Sequence, residues 1–254
     1  DPFTLLGIER PDGFDAIVDL DYYAERGVGF GTRAEWNRDG HRGELTAYVL
    51  PDDRGSDISV SGREIDRDGG FRGLFIGRDY WDLTPEWTLL TEVGAVSDEL
   101  LTQDIFRDLG RDGDDINTRR YLRRLEGITR LSIEAAATLN DFVVNQHRLQ
   151  APGYLVDKLP EIELDVVGDD LAPFLPPGLV THTWQASAAQ QRIRFSEVDA
   201  AAQGFVTDFA AERAIGGTPD QSSGDVRRGL GCDESFVNRF DTRHELTATV
   251  DLGP

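Results

Sequence analysis

The feature that most constrains the fold of this chain is an alternation of apolar and polar residues with a period of two. In segment 28–37 the even-numbered residues are Val, Phe, Thr, Ala and Trp, and the odd-numbered residues are Gly, Gly, Arg, Glu and Asn. Successive side chains of a β-strand point to opposite faces of its sheet, so this pattern predicts a strand with one apolar face. Comparable alternation occurs in segments 15–22, 130–140, 161–166 and 243–252. The chain is therefore predicted to be all-β.

Turn-forming pairs between these segments predict antiparallel hairpins. Asp39-Gly40 separates two alternating segments, and both residues tolerate the positive φ that a two-residue hairpin turn requires. Thr84-Pro85 and Glu126-Gly127 mark two further turns. We expect an antiparallel up-and-down meander of roughly ten strands, of the kind that forms part of a transmembrane outer-membrane β-barrel.

Two stretches, residues 98–115 and 198–240, lack the alternation and are predicted to be long loops. Apolar residues at helical spacing predict one short helix in each loop. In the first they are Leu100, Leu101, Ile105 and Phe106, and in the second Val198, Ala201, Phe205 and Phe209. Many hairpins with a few long loops on one side is the organisation of an outer-membrane barrel.

The two ends of the sequence predict an internal fragment of a longer barrel. The 254 residues include no methionine, and the sequence opens at Asp1-Pro2. At the far end, segment 243–252 has the pattern of a strand but no return partner before Gly253-Pro254. We therefore expect one barrel domain over residues 1–254, with a sheet that is open because neighbouring strands are missing.

The charge and the apolar content exclude some classes of function. A formal net charge of -21 repels phosphate backbones, so nucleic acid is not expected as a partner. No apolar stretch approaches the roughly 18 residues that a spanning helix needs, so a membrane crossing would have to use strands. The single cysteine, Cys232, cannot form a disulfide within this chain.

Strand length and aromatic placement favour a membrane wall over a soluble sheet. Several alternating segments reach about nine to eleven residues, the length that a tilted strand needs to cross a bilayer. Aromatic residues beside the predicted turns suit the interfacial girdles of membrane barrels. These residues are Tyr22, Tyr23, Trp36, Tyr80, Trp81 and Trp87. The apolar positions of the five alternating segments carry no Asp, Glu, Lys or Arg, as contact with lipid requires.

A secreted acidic β-sandwich that acts as a binding module is the soluble alternative, because it would hide the same apolar residues against a second sheet. The two alternatives differ in exposure. A membrane wall predicts an exposed band on the convex side of the sheet. This band would comprise Leu131, Ile133, Ala135, Leu246, Ala248 and Val250.

Motifs for catalysis or metal binding are weak throughout the chain. The four histidines, at positions 41, 147, 182 and 244, have no metal-binding spacing. Segment 64–69 resembles the start of a calcium loop, but its twelfth position would be Phe75 instead of Glu, so we interpret it as a solvated hairpin tip. Gly27, Gly29 and Gly31 miss the dinucleotide spacing and suit a curved sheet. We predict no enzyme activity, cofactor or metal, and a role in moving a substrate.

A dense basic patch is the strongest candidate for ligand binding in the sequence. It consists of Arg119, Arg120, Arg123 and Arg124. Guanidinium groups bind phosphate or carboxylate groups in a bidentate manner. The alternative is that these arginines pair with acidic residues of neighbouring strands.

Short motifs in a fixed order carry a family resemblance. They are Leu5-Leu6-Gly7, residues 19–23 (DLDYY), residues 87–98 (WTLLTEVGAVSD), residues 139–142 (LNDF), residues 159–162 (LPEI) and residues 239–246 (RFDTRHEL). Their order and spacing resemble the barrel domain of the LPS-assembly proteins, the LptD or OstA (organic solvent tolerance) family. The resemblance covers nearly the whole chain.

The resemblance implies a location in the bacterial outer membrane and transport of lipopolysaccharide to the outer leaflet. It also implies a periplasmic bridge that delivers the lipid and a lipoprotein plug inside the lumen, and it brings no catalytic residues. We expect the lumen to be lined by Glu134, Asn140, Glu161, Glu163, Asp165, Glu245 and Asp251. A porin-like solute channel predicts the same facing, so both functions stay open at this point.

Overall fold

A computed structural model describes residues 3–4, 7–59, 62–106, 109, 116–143, 153–171, 174 and 176–249. The strands are β1 (Phe14–Tyr23), β2 (Gly27–Arg38), β3 (His41–Leu50), β4 (Ser56–Ile58), β5 (Glu64–Asp66), β6 (Arg72–Asp82), β7 (Trp87–Val96), β8 (Thr118–Glu126), β9 (Thr129–Ala137), β10 (Leu155–Asp170), β11 (Val180–Arg194) and β12 (Val237–Ala248). The helices are α1 (Glu99–Asp104), α2 (Asp208–Ile215) and α3 (Ser223–Gly229).

Ten of the strands form one antiparallel meander in the order β1-β2-β3-β6-β7-β8-β9-β10-β11-β12. Strands β4 and β5 form a separate two-stranded sheet. The large sheet is not closed, so β1 and β12 each have one edge that pairs with no strand of the described chain. The predicted all-β meander of about ten strands is confirmed.

The connections divide the sheet into two unlike rims. At one rim, here called the short-turn rim, the strands are joined by residues 39–40, 83–86, 127–128 and 171–179. The opposite rim, here called the long-loop rim, is the side at which β3 connects to β6, β7 to β8, β9 to β10 and β11 to β12, and it also has the short turn 24–26. The described residues of both predicted long loops, up to residue 236 in the second, belong to connections at this rim, and residues 107–108 and 110–115 of the first lie outside the described residues.

Several predicted boundaries are wrong because groups distant in sequence replace the expected local backbone partners. Strand β9 ends at Ala137, since the amide of Thr138 donates to Asp157 Oδ1 at 3.2 Å. No helix begins at Val198: the amide of Ala200 donates to the Gln221 carbonyl at 2.9 Å, and the next helix is α2. Strand β12 begins six residues earlier than predicted, at Val237, and β4, β5 and β11 were not predicted.

The two sides of the large sheet differ in chemistry. The apolar face is the side that carries Leu20, Phe30, Leu122, Ile133 and Ile162. The polar face is the side that carries Glu44, Arg78, Glu92, Arg119 and Glu134. We use these two names below.

A small hydrophobic core lies on the polar face, against the long-loop rim. It contains the strand residues Tyr48, Leu50, Leu74 and Val96 and the loop residues Leu101, Ile116 and Phe142. Helix α1, at the predicted position, therefore packs over one end of the polar face. None of the described helices is long and apolar enough to cross a membrane.

The glycines of β2 make room for one aromatic ring on the polar face. A Cβ atom at Gly29 would lie 2.0 Å from the Tyr48 hydroxyl oxygen, and one at Gly31 would lie 2.9 Å from Tyr48 Cδ2. The Tyr48 hydroxyl donates to Asp21 Oδ2 at 2.9 Å across β2. These small residues thus relieve crowding within the sheet.

Candidate functional faces of the sheet

The apolar face is continuous across the strands. One row of directly opposed residues crosses β7 to β12 and contains only aliphatic and aromatic side chains. It runs through Leu89, Leu122, Ile133, Ile162, Ala188 and Phe240. A second row links Leu20, Phe30 and Val49 in β1 to β3. The sheet register therefore builds one apolar surface from residues that lie far apart in sequence.

Large side chains of this face are exposed to an unusual degree. Relative exposure is 37% for Ile133, 43% for Ile162 and 72% for Phe240. Of the predicted exposed band, Ile133, Leu246 and Ala248 are exposed, Leu131 and Ala135 are partly exposed, and Val250 lies outside the described residues. Within the described chain no second sheet packs against this face. Apolar patches of this size on a protein normally mark contact with a membrane or another macromolecule.

The four tryptophans of the chain all lie on the apolar face near the short-turn rim. Trp36 and Trp81 lie within two residues of the ends of their strands, and Trp87 is the first residue of β7. Trp184 is directly opposite Val166, which in turn is directly opposite Thr129, the first residue of β9. Tryptophan is enriched at the interface between membrane and water because its ring is amphipathic. Of the other predicted girdle residues, Tyr22 shares this face, whereas Tyr23 and Tyr80 lie on the polar face.

Charged residues also lie on the apolar face outside the five alternating segments, among them Arg38, Asp79, Arg120, Arg124 and Glu126. Near the short-turn rim, Asp79 Oδ1 accepts a hydrogen bond from Trp36 Nε1 at 3.0 Å and lies 2.7 Å from His41 Nε2. Arg124 lies over the Trp87 ring at 5.9 Å. Arg120 lies farther from this rim and is exposed. The other four named charges lie near the short-turn rim, where an interfacial band would keep them hydrated.

Oppositely charged residues form a ladder across six strands of the polar face. Arg78 bridges Glu44 at 3.0 Å and Glu92 at 3.9 Å. Arg119 bridges Glu92 at 2.6 Å and Glu134 at 3.8 Å. The ladder continues to β10, where Lys158 pairs with Glu134 at 3.5 Å and with Glu161. Single exposed ion pairs contribute little stability, so the main property of this ladder is a hydrated and nearly neutral wall.

The residues predicted to line a lumen are mostly brought together. Glu134, Glu161, Glu163, Asp165 and Glu245 share the polar face, and Arg130 Nε donates to Asp165 Oδ2 at 2.6 Å. This placement follows from the alternation of apolar and polar residues along β9, β10 and β12, which puts the polar residues on one face.

Two of the predicted lining residues do not join the others. Asn140 is not on a strand: it is buried in the connection after β9, where its Oδ1 accepts from the backbone amide of Val96 at 3.0 Å. Asn140 therefore does not share a strand face with the others, because its side chain bonds to the Val96 amide in place of a strand partner. Asp251 lies outside the described residues.

The four arginines of the basic patch are divided between the two faces. Arg119 and Arg123 lie on the polar face, and Arg120 and Arg124 lie on the apolar face. Arg119 is engaged with Glu92, and Arg124 pairs with Glu126 at 2.5 Å. Consecutive residues of a strand cannot join in one site, because their side chains point in opposite directions.

A buried ionic cluster at the long-loop rim was not predicted from the sequence. Arg72 pairs with Asp53 at 2.7 Å, Asp57 at 3.1 Å and Asp98 at 2.6 Å. The side chains of Asp53 and Asp57 have no exposed surface, and Arg72 is 3% exposed. Arg26 and Arg67 complete the cluster. It therefore contains three arginines and three aspartates. The only sequence signal was the density of Asp and Arg in segment 51–72.

This cluster fastens helix α1 to the sheet. Asp98 is the N-cap of α1, and its side chain accepts from the Leu101 amide. Burial by itself would raise the pKa of Asp98, but hydrogen bonds and charge from Arg72, with the charge of Arg67, lower the pKa below its ordinary value. The ionised carboxylate therefore holds the loop against the rim.

A comparison with protein-family models finds no match for this chain. No curated protein matches it either.

Proposed function

We propose that this chain forms part of the wall of a bacterial outer-membrane β-barrel. The apolar face contacts lipid, and the polar face lines an aqueous lumen. The observation that carries this proposal is the uncovered apolar face: ten adjacent strands present it on one side, and their charged ladder lies on the other. In water this exposed apolar surface would be unfavourable, whereas in a bilayer it would contact the lipid acyl chains.

The height of the apolar face supports the same proposal. Phe71 precedes β6 and Trp81 lies near its end, and both are exposed. Ten residues span about 33 Å along a strand, which equals a height of about 25 Å at a tilt of about 40°. That height matches the apolar band of outer-membrane barrels, which is about 25 Å tall.

For the substrate we propose lipopolysaccharide, moved from a periplasmic bridge to the outer leaflet. The support is the ordered set of motifs that resembles the LPS-assembly barrels. In this proposal the polar face holds water and a lipoprotein plug. The acyl chains leave sideways between strands, because the charged ladder makes the interior a poor solvent for them.

A porin-like channel for small solutes is the second candidate function. The specific observation in its favour is the ladder itself, because a hydrated, nearly neutral wall also suits solute diffusion. The acidic sandwich has less support, since no second sheet of the described chain covers the apolar face.

Cell fractionation of the full-length protein tests the membrane proposal. We expect the protein in the outer-membrane fraction after an alkaline carbonate wash that removes peripheral proteins. Recovery in the soluble fraction would refute the wall.

Depletion of the full-length protein in its host then tests the substrate. We expect loss of newly made lipopolysaccharide from the cell surface. Unchanged surface lipid together with lost uptake of a small solute would replace lipopolysaccharide transport with the channel function.

A further inference from the structure

A cavity of about 840 Å³ opens on the polar face beside the short-turn rim. It is lined by residues of β1, β2, β3, β6 and β7 and of the segment that precedes β1. The lining includes three arginines, at positions 10, 42 and 78, and six carboxylates, at positions 12, 15, 35, 44, 79 and 92. Small-molecule sites typically measure about 300 to 1,000 Å³ and combine apolar surface with a few convergent polar groups. This cavity has both properties and lies apart from the proposed lipid-facing surface.

Arg42 has no ion-pair partner within the described chain, unlike Arg78 in the same cavity. Its guanidinium lies over the Tyr80 ring, with 3.9 Å between Cζ and the ring centroid. Arg78, two residues before Tyr80, is by contrast bonded to Glu44 at 3.0 Å. A stacked guanidinium keeps its plane fixed and leaves its N–H groups along the edge, which suits bidentate binding of a carboxylate or phosphate.

The other groups of the cavity define what must accompany the anion. Glu35 is an exposed carboxylate that lies diagonally across from Arg42, since Asn37 is directly opposite Arg42. Diagonal neighbours in a sheet are about 7–8 Å apart. Glu35 accepts hydrogen bonds from hydroxyl groups but repels a second anion. Leu90, directly opposite Tyr80, supplies apolar surface. The arrangement suits one anionic group attached to a body rich in hydroxyls.

We propose that this cavity binds a small sugar that carries one carboxylate or phosphate group. Arg42 binds the anion, Tyr80 positions Arg42, and Glu35 accepts from sugar hydroxyls. The site needs only that the polar face is open to water. It is therefore independent of the lipid that the full barrel transports.

Calorimetric titration of the purified chain in detergent micelles tests the site. The probes are glucuronate and glucose 6-phosphate, with glucose as the neutral control and glucosamine as the cationic one. We expect the two anions to bind and the two controls to bind at least about tenfold more weakly, the ratio that one charge-assisted hydrogen-bond pair supplies. The stronger of the two anions identifies whether carboxylate or phosphate is the natural group.

Four variants locate the binding. Arg42→Gln should weaken anion binding about tenfold, and Arg42→Lys less, because lysine keeps the charge but not the fork. Tyr80→Leu should weaken it while leaving the selectivity for anions. The matched control is Arg33→Gln, an exposed polar-face arginine that pairs with Asp19 at 3.5 Å and does not line the cavity; it should bind like the wild type.

Three results would overturn the site. The first is that neither glucuronate nor glucose 6-phosphate binds more tightly than glucose. The second is unchanged anion binding by Arg42→Gln. The third is an equal loss in Arg33→Gln, which would indicate unspecific charge. Circular dichroism checks the folding of each variant. Should Arg42→Gln not fold, the binding measured for Arg42→Lys takes its place as the test of Arg42. Because no membrane is needed, these results are distinct from failure of the proposed wall.

Discussion

A charge placed at the centre of the apolar face distinguishes a lipid-facing wall from a water-facing sheet. Ile162 in β10 is directly opposed by Ile133 and Ala188 and is 43% exposed. An arginine near the bilayer midplane costs roughly 2 to 4 kcal/mol in a membrane barrel. That cost corresponds to a shift of about thirtyfold to several hundredfold in the folding equilibrium. We therefore expect Ile162→Arg to lower the free energy of unfolding by this amount in lipid vesicles.

If the apolar face is in water instead of lipid, Ile162→Arg should cost less stability. Complete burial of an isoleucine stabilises by about 1.5 to 3 kcal/mol, and Ile162 has only about half of its surface to lose, so in water Ile162→Arg should cost about 1 kcal/mol. The matched control is Ser187→Arg on the polar face, opposite Glu163 and Asp241, which should change stability by less than about 0.5 kcal/mol. Denaturant unfolding in vesicles measures both variants. Equal effects at the two positions would refute the assignment of the faces.

Three further predictions follow from other parts of the structure. Gly29→Ala should destabilise by about 1 to 3 kcal/mol because the new Cβ meets the Tyr48 hydroxyl, and Tyr48→Ala should remove most of that effect in a double-mutant cycle; full additivity would contradict the contact. Asp98 has a lowered pKa in the folded chain, so its stabilisation should be complete above its ordinary value of 3.8 and be lost as the pH falls through the lower folded value; denaturant unfolding should show this loss in the wild type and not in Asp98→Asn. Cys232, exposed in the connection between β11 and β12, should react with an impermeant maleimide on intact cells, whereas a cysteine at Gly127 should react only after permeabilisation; the reverse labelling would invert the barrel.

The faces of the sheet were predictable, but the ends of the strands were not. Alternation depends on side-chain direction alone, so segment 28–37 matches the observed β2 (Gly27–Arg38) closely. The end of β9 depends instead on Asp157, which is nineteen residues from its partner Thr138. A contact over that distance leaves no local signal. The same applies to Val198, whose helical spacing was overridden because Ala200 and Ala201 bond to the distant residues Gln221 and Pro219.

Buried charge was the other feature beyond sequence analysis. Asp53 and Asp57 lie in a segment that is polar throughout, which predicts a solvated loop. These two aspartates are buried because Arg72, the first residue of β6, points toward the same side as Arg26 and Arg67. The three arginines together neutralise the carboxylates. Unpaired buried carboxylates would be very costly. Their burial therefore depends on a three-dimensional meeting of arginines from three separate segments.

The same geometry explains why the most conspicuous basic run is a weaker ligand site than an isolated arginine. Along β8, Arg119 and Arg120 point to opposite faces, so adjacency in sequence separates them in space. The strand order also places acidic strands on both sides, and Arg119 is engaged by Glu92 and Glu134. Arg42 and Tyr80 are 38 residues apart in sequence, yet the register makes them directly opposed on one face. On a sheet, a site is assembled by cross-strand register, so its residues are found by pairing strands and not by scanning for local density.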